Sequence, residues 1–324
     1  MAKNSNLHAA KVAKNDEFYT MLTDIEKEMS HYKDFFKGKV VYCNCDDARE
    51  SNFFKYFSKN FEFLGLKKLI TTGYKAEGKG VVLVYEGDKN GNRKVDDAEV
   101  EVRELQGSGD FRSAECIEFL KEADVVVTNP PFSLFREYLS QLISFGKSFI
   151  VIGSQNACTD KAVFPYIKEN QLWFGVNHVK EFVKPTGETQ KFGNICWYTN
   201  IENKNRTTPI DLYKRYSNEY PKYANYDAID VSKVSEIPMD YDGVMGVPIS
   251  FLERYNPKQF EIIWRSGDKK WAVTSDFYVP FTEEKEIKAR AVGSCFGRYN
   301  IWFELKDGEM KEGYKRIFIR KRTA

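Results

Sequence analysis

The stretch that most constrains this chain is Asp124-Val125-Val126-Val127-Thr128-Asn129-Pro130-Pro131-Phe132. Consecutive β-branched valines favour a pleated backbone. A short apolar run closed off by turn residues reads as a strand buried on both faces. Two prolines end it: each fixes φ, lacks an N–H donor and holds the residue before it extended. Helical spacing resumes from Ser133 to Phe145, so the stretch predicts strand, stiff turn, helix. In open α/β sheets ligands bind at the carboxyl ends of strands, where this turn falls. The Asn129 side-chain amide and the Pro130 carbonyl can both accept hydrogen bonds from one exocyclic amine, and Phe132 offers a flat apolar face. A planar heterocycle bearing an NH2 group, a nucleobase above all, fits that set. The competing reading is a strand followed by a purely structural Pro-rich turn.

The rest of the chain supplies a sheet for this turn. Lys39 to Asn44 reads as the first core strand, ending in Cys45-Asp46-Asp47 and followed by a helix from about Ala48 to Phe61. Leu66 to Thr72 reads as a second strand. Val81 to Tyr85 and Ala98 to Leu105 flank an Asn-Gly turn and predict a β-hairpin that leaves the sheet. Gly107 to Arg112 turns into a helix from Ser113 to Glu122. Ser148 to Gly153, Leu172 to Asn177 and Gly193 to Thr199 read as further strands, with a helix over Asp160 to Glu169. Strands alternating with helices predict an α/β fold whose sheet is mostly parallel. At the start, Phe18, Met21, Leu22, Ile25 and Met29 share a helical face, which places Tyr19 and Thr20 in the first turn of a helix. Before it, Lys11 and Lys14 stand in a basic arm that either touches phosphate or is a solvated tail.

Past Asn200 the composition shifts to a polar, Tyr-rich and charged segment. This divides the chain into residues 1–202, with the site, and residues 203–324. The second part carries basic and aromatic residues, among them Lys269, Trp271, Arg298 and Tyr299, suited to phosphate contacts with occasional stacking. Tyr314 to Arg322 alternates basic and apolar residues, which predicts a strand with one charged, exposed face that could meet the DNA backbone.

Net charge is only +2 over 324 residues, so nucleic-acid binding must rest on local patches. The six cysteines contain no Cys-x-x-Cys pair, and His8, His31 and His178 are scattered, so no metal site is expected. Buried thiols in a reducing cytoplasm account for the cysteines. No apolar run reaches the length of a membrane span, and the polar N-terminus is unlike a signal peptide.

Six segments, in this order, carry a family resemblance: Asp16-Glu17-Phe18-Tyr19-Thr20; Cys45-Asp46-Asp47 with Ser51-Asn52-Phe53; Gly109-Asp110-Phe111-Arg112-Ser113; Asn129-Pro130-Pro131-Phe132; Gly243-Val244-Met245-Gly246-Val247-Pro248; and Tyr314-Lys315-Arg316-Ile317. The chain resembles, over nearly its whole length, the adenine-specific methyltransferase family typified by the EcoRI modification enzyme. The resemblance implies a Rossmann-like, seven-stranded methyltransferase fold with its last strand antiparallel, the γ order of motifs, and a C-terminal target-recognition region. It implies S-adenosylmethionine as donor and site-specific transfer to the N6 of a flipped-out adenine in double-stranded DNA. Asn129, Pro130, Pro131 and Phe132 become the catalytic segment. Tyr19 and Thr20 fall near the methionine end of the donor, with Asn44, Cys45, Asp46 and Asp47 beside it. Asp46 or Asp47 meets the donor's ammonium group, or else the two acids only cap the next helix. Asp110 takes the amine of the donor's adenine, or else serves an N-cap box, and Phe111 forms a pocket wall. Lys11, Lys14, Arg298, Lys315 and Arg316 are the expected DNA contacts. The turn after the first strand departs from most of the superfamily in having no glycine. A monomeric, cytoplasmic restriction–modification enzyme is implied, with a cognate endonuclease not physically bound. The readings it competes with are methylation of another amine (an RNA base, cytosine N4, a protein glutamine) and a DNA-binding module without catalysis.

Overall fold

The computed structural model describes residues 19–45, 47–48, 50–183, 188–292 and 296–322. Chain contacts divide it into two compact units, one of Met1–Val163 with Gln171–Asn203, the other of Phe164–Asn170 with Lys204–Ala324.

The first unit is built on a nine-stranded mixed sheet. Its strands are β1 (Tyr19–Thr20), β2 (Val40–Cys43), β3 (Lys68–Gly73), β4 (Val81–Tyr85), β5 (Val100–Glu104), β6 (Val125–Thr128), β7 (Ser148–Ser154), β8 (Trp173–Val183) and β9 (Thr189–Thr199), in the order β1-β8-β9-β7-β6-β2-β3-β4-β5. The central strands β3, β2, β6 and β7 are parallel, with Val41 opposite Val125 and Val126 opposite Phe149. Every residue of β2 and β6 is buried, which is why both read as unbroken apolar runs rather than alternating ones. The longer helices of this unit are α1 (Leu22–Met29), α2 (Asn52–Lys59), α3 (Ala114–Glu122) and α4 (Phe135–Ser144), with a single turn at Phe61–Leu64 after α2. Ser51 caps α2 by accepting from the Phe53 N–H at 3.1 Å, and Ser113 caps α3 by accepting from Cys116. Buried aromatics, including Phe36, Phe53, Phe57 and Trp197, fill the core on the α1–α2 side.

Several expectations are corrected here. The sheet has nine strands, not seven. Tyr19 and Thr20 form an edge strand, not a helical turn, because they pair antiparallel with Val183 and Phe182. The 81–105 hairpin is not an excursion. Its first strand pairs antiparallel with β3 along Gly73–Leu69, and β5 forms the sheet's edge. Its long loop is closed by carboxylates rather than by a tight Asn-Gly turn: Asp88 accepts the N–H groups of Gly91 and Arg93 at 2.6 Å, and Glu99 accepts that of Lys89 at 2.8 Å. Charged, exposed Glu101, Arg103 and Glu104 protect the open edge. The helix expected over 160–169 is confined to Phe164–Lys168.

The second unit holds β10 (Ile229–Asp230), β11 (Met245–Val247), β12 (Phe260–Arg265) and β15 (Ile317–Lys321) in one sheet, ordered β10-β11-β15-β12, and a hairpin of β13 (Trp302–Glu304) and β14 (Met310–Glu312). A helix α5 (Glu283–Ala291) starts at Thr282. Strand β15 is central, so Ile317, Phe318 and Ile319 are all buried and the predicted alternation of a one-faced strand does not hold. A Cβ at Gly246 would overlap the Tyr223 hydroxyl, which donates to Asp230 at 2.6 Å. The glycine of the Gly243–Pro248 segment is thus explained by packing.

Candidate active site

The carboxyl ends of β2, β3 and β6 lie side by side, and the turns after β2 and β6 and the Gly109–Ser113 turn come together there. Beyond β6, Asn129 is half-buried, Pro130 is buried, and Phe132 opens a single helical turn (Phe132–Leu134) leading into α4. The Leu134 N–H donates to the Pro131 carbonyl at 3.0 Å and fixes that turn. Half-buried Phe132 packs edge-to-face on Phe182 near the end of β8, with centroids 6.4 Å apart, and Phe182 meets Phe192 of β9 at 5.5 Å.

Next to it, β2 ends in Asn44 and Cys45. Asn44 is buried: its carbonyl accepts from the Thr128 hydroxyl and its side-chain oxygen from the Tyr138 hydroxyl of α4. It is therefore a joint between β2, β6 and the helix after Phe132. Burial pushes the Tyr138 phenol well above its ordinary range, so it stays a neutral donor. Cys45 has φ +68, a left-handed conformation normally given to glycine. The chain thus makes at Cys45 the turn that a glycine-rich sequence makes elsewhere. Asp47 is exposed, and its carboxylate accepts the Glu50 N–H at 2.9 Å, so it caps the turn into α2. Asp46, Lys11 and Lys14 lie outside the described residues.

Strand β1 closes over this turn. The Asn52 amide, at the start of α2, donates to the Thr20 carbonyl at 2.7 Å. The hydroxyls of Thr20 and, within β3 opposite Cys43, Thr71 are buried with no hydrogen-bond partner among the described residues. Asp110 follows Gly109, whose φ is +83 and where a Cβ would overlap the carbonyl oxygen of Gly73. The Asp110 turn is thereby pressed against the end of β3. Its carboxylate receives Arg112 in a fork, Nε to Oδ1 at 2.9 Å and Nη2 to Oδ2 at 2.6 Å, and this guanidinium holds it below the usual carboxylate range. The N-cap of α3 is Ser113, so Asp110 does not fill that position. Phe111 is buried edge-to-face on Tyr138, centroids 5.0 Å apart.

The sequence reading missed Asn52, Thr71, Thr128 and Tyr138. Asn52, Thr128 and Tyr138 are common residues whose roles come from neighbours distant in sequence. Tyr138 sits at core spacing after Phe135, and nothing local marks its hydroxyl.

Of the expected DNA contacts, Arg298, Lys315 and Arg316 lie in the second unit and are unlike one another. Lys315 is exposed beside Tyr314. Arg298 pairs with Glu286 and lines a cleft of about 470 Å³ together with Lys269, Arg290, Phe296, Tyr299 and Asn300. Arg316 is turned inward, with Nε 2.8 Å from Asp230 and a side chain 12% exposed. That internal pair, not a solvent-facing strand surface, accounts for Arg316. No group of three or more His, Cys, Asp or Glu among the described residues is placed to hold a metal ion, and no described helix is long and apolar enough to cross a membrane.

Comparison with known proteins bears on the whole chain. The family model described as "Adenine-specific methyltransferase EcoRI" matches residues 6–322. The Type II methyltransferase M.EcoRI of Escherichia coli is 46% identical over 297 residues, covering 82% of this chain and 91% of its own. The Type II methyltransferase M.MpnI of Mycoplasma pneumoniae is 42% identical, covering 78% and 83%. M.MgeORF184P of Mycoplasma genitalium, also a Type II methyltransferase, is 39% identical, covering 80% and 85%. No solved structure matches. With a family match from residue 6 to residue 322 laid over a mixed sheet that carries Asn-Pro-Pro-Phe at the end of a central strand, this chain belongs to the EcoRI family of adenine-specific methyltransferases.

Proposed function

We propose that this chain methylates N6 of an adenine within a short specific sequence of double-stranded DNA, using S-adenosylmethionine. The observation that carries the reading is Asn129-Pro130-Pro131-Phe132 at the carboxyl end of β6, flanked by the turns after β2 and before α3. Within the nine strands we read β4-β3-β2-β6-β7-β9-β8 as a Rossmann-like methyltransferase sheet, with β4 reversed and β1 and β5 added at its edges. The antiparallel placing of β9 between β7 and β8 supports this. Residues 1–202 form the donor-binding and catalytic part, and residues 203–324 the target-recognition part.

The residues around the site fit the donor. Two buried hydroxyls, Thr20 and Thr71, lack partners among the described residues at the edge where the donor would lie, and a ligand's polar groups would satisfy them. Tyr19, Thr20, Asn44, Cys45, Asp46, Asp47, Asp110 and Phe111 would hold it. S-adenosylmethionine supplies an electrophilic methyl group on a sulfonium, so no covalent enzyme intermediate is required. The target nitrogen lies inside the base stack, and the adenine is flipped out to be reached. Phe132 stacks on it. The Asn129 side-chain oxygen and the Pro130 carbonyl accept the two N6 hydrogens, which holds the nitrogen lone pair out of conjugation with the ring. Positioning and fixed dipoles, not acid–base chemistry, carry most of the rate.

In the second unit, Lys315 and the cleft lined by Lys269, Arg290 and Arg298 are the proposed phosphate contacts. The enzyme acts as a cytoplasmic monomer on DNA, paired with a separate endonuclease of the same specificity. Long-read sequencing of DNA from a methylation-free bacterial host expressing the chain tests the reading beside an Asn129→Ala control. Modified adenine at one motif, lost in the control with folding and donor affinity kept, is the expected result. Near-normal modification by the Asn129→Ala protein rules the mechanism out.

A further inference from the structure

The Gly109–Ser113 turn contains a second charged side chain to which the proposed function gives no part. Arg112 makes two links. Its Nε and Nη2 grip the two oxygens of Asp110, while its Nη1 lies 3.4 Å from both oxygens of Glu137, in the first turn of α4. Its guanidinium also lies over the Phe111 ring, 5.2 Å from the centroid. One side chain therefore spans the proposed donor turn and the helix that begins directly after Asn129–Phe132.

The hydrogen-bond count at Asp110 makes this specific. An ionised carboxylate has about four acceptor positions. Oδ1 already receives the Arg112 backbone N–H and Nε, each at 2.9 Å, and Oδ2 receives Nη2 at 2.6 Å. One acceptor position remains, on Oδ2. A single N–H of an amino group is the partner that position can take, and the fork fixes its direction.

We propose that Arg112 is a positioning residue for the methyl donor: it holds the Asp110 carboxylate so that the free Oδ2 position faces the amine of the donor's adenine, and it ties that turn to α4 through Glu137. This rests on Asp110 being a donor ligand. A lysine in its place would keep the charge but lose the planar fork. The Glu137 link is longer and more exposed, so it contributes less.

Calorimetric titration of the full chain with S-adenosylmethionine, without DNA, tests the proposal for Arg112→Ala, Arg112→Lys, Glu137→Gln and Asp110→Asn. Arg112→Ala is expected to raise the donor Kd about tenfold, the loss of roughly one charge-assisted hydrogen bond. Arg112→Lys recovers little of it, and Glu137→Gln changes it less than threefold. The variants stay folded, and DNA affinity by fluorescence anisotropy stays near that of the parent. Millimolar guanidinium restores donor affinity to Arg112→Ala and not to Asp110→Asn, a rescue that a merely structural arginine would not show. Unchanged or tighter donor binding by Arg112→Ala, with Asp110→Asn weakened, overturns the proposal while leaving Asp110 as a ligand. Unchanged binding by Asp110→Asn overturns the ligand assignment itself.

Discussion

Glu28 is a fully buried carboxylate on α1, and its removal has a cost that can be worked out from its partners. One oxygen accepts the Tyr32 hydroxyl at 2.9 Å and the Val176 N–H at 2.8 Å. The other accepts the Asn177 N–H at 2.7 Å and the Asn177 side-chain amide at 2.9 Å. These two backbone N–H groups sit where the β8–β9 pairing breaks register between Phe174 and His178, so β9 does not satisfy them. The carboxylate replaces the missing ladder. Glu28→Ala leaves the N–H groups of half-buried Val176 and Asn177 without their acceptor, at roughly 1–2 kcal/mol each, about 3 kcal/mol together. Glu28→Gln keeps the shape and one acceptor oxygen but turns an NH2 towards donors, for roughly half that loss. Beyond this irregularity, β8 carries Phe182, which pairs with Thr20 and packs on Phe132. The damage is therefore expected to reach the site. Urea unfolding gives the free-energy change, and hydrogen exchange read by mass spectrometry locates it. Protection should fall in β8 and β1 first, with β2 and β6 retained. An alanine variant within about 1 kcal/mol of the parent, with β8 still protected, would refute the idea that this carboxylate holds the strand.

Two more perturbations address the proposed donor turn. Gly109→Ala imposes a Cβ on a residue at φ +83 facing the Gly73 carbonyl in the sheet, and neither backbone can yield easily. It should cost roughly 2 kcal/mol of stability and weaken donor binding together; a stable variant with normal donor affinity in calorimetry would contradict the close approach. The Asp110–Arg112 pair has a pH signature. The Asp110 pKa is lowered in the folded chain from an ordinary 3.8, chiefly by Arg112. Its contribution is complete above that value and is lost as pH falls below it, through the folded pKa. The difference in unfolding midpoint between the parent and Asp110→Asn should be flat from neutral pH to mildly acidic conditions and shrink only below about pH 3.8; a difference that disappears near neutrality would mean the pair is not formed.

Much of the sheet was legible because burial on both faces leaves a plain signature. Val125–Thr128 and Val40–Cys43 could hardly be anything but central strands, and the breaks at Asn129-Pro130 and Cys45 mark their ends. The edges were less legible. Tyr19-Thr20 carries no strand signal of its own and becomes β1 only through Phe182 and Val183. The 81–105 hairpin was seen, but its membership of the sheet depends on pairing with β3, which no periodicity inside the hairpin reports. Arg316 failed for a related reason. Alternation of charged and apolar residues says that a strand has two faces, yet a central strand can bury a charge against a partner such as Asp230, distant in sequence.

The turn after β2 shows how a local rule can be broken without losing the function it serves. A glycine there relieves the strain of a positive φ and lets backbone come close to a ligand. This chain places Cys45 at φ +68 instead, a conformation that costs a non-glycine residue of order 1 kcal/mol or more. The surroundings hold it in place. Asn44 is fastened by Thr128 and Tyr138 on one side of Cys45, and on the other Asp47 and Ser51 cap the start of α2. The same fastenings bind the turn to β6 and α4, the elements that carry Asn129 and Phe132. A more permissive residue at position 45 would relax the turn, but the links through Asn44, which set the proposed donor edge against the proposed catalytic edge, would remain. The rigidity that the proposed transfer needs therefore resides in the Asn44–Thr128–Tyr138 joint, and a glycine at this turn is dispensable.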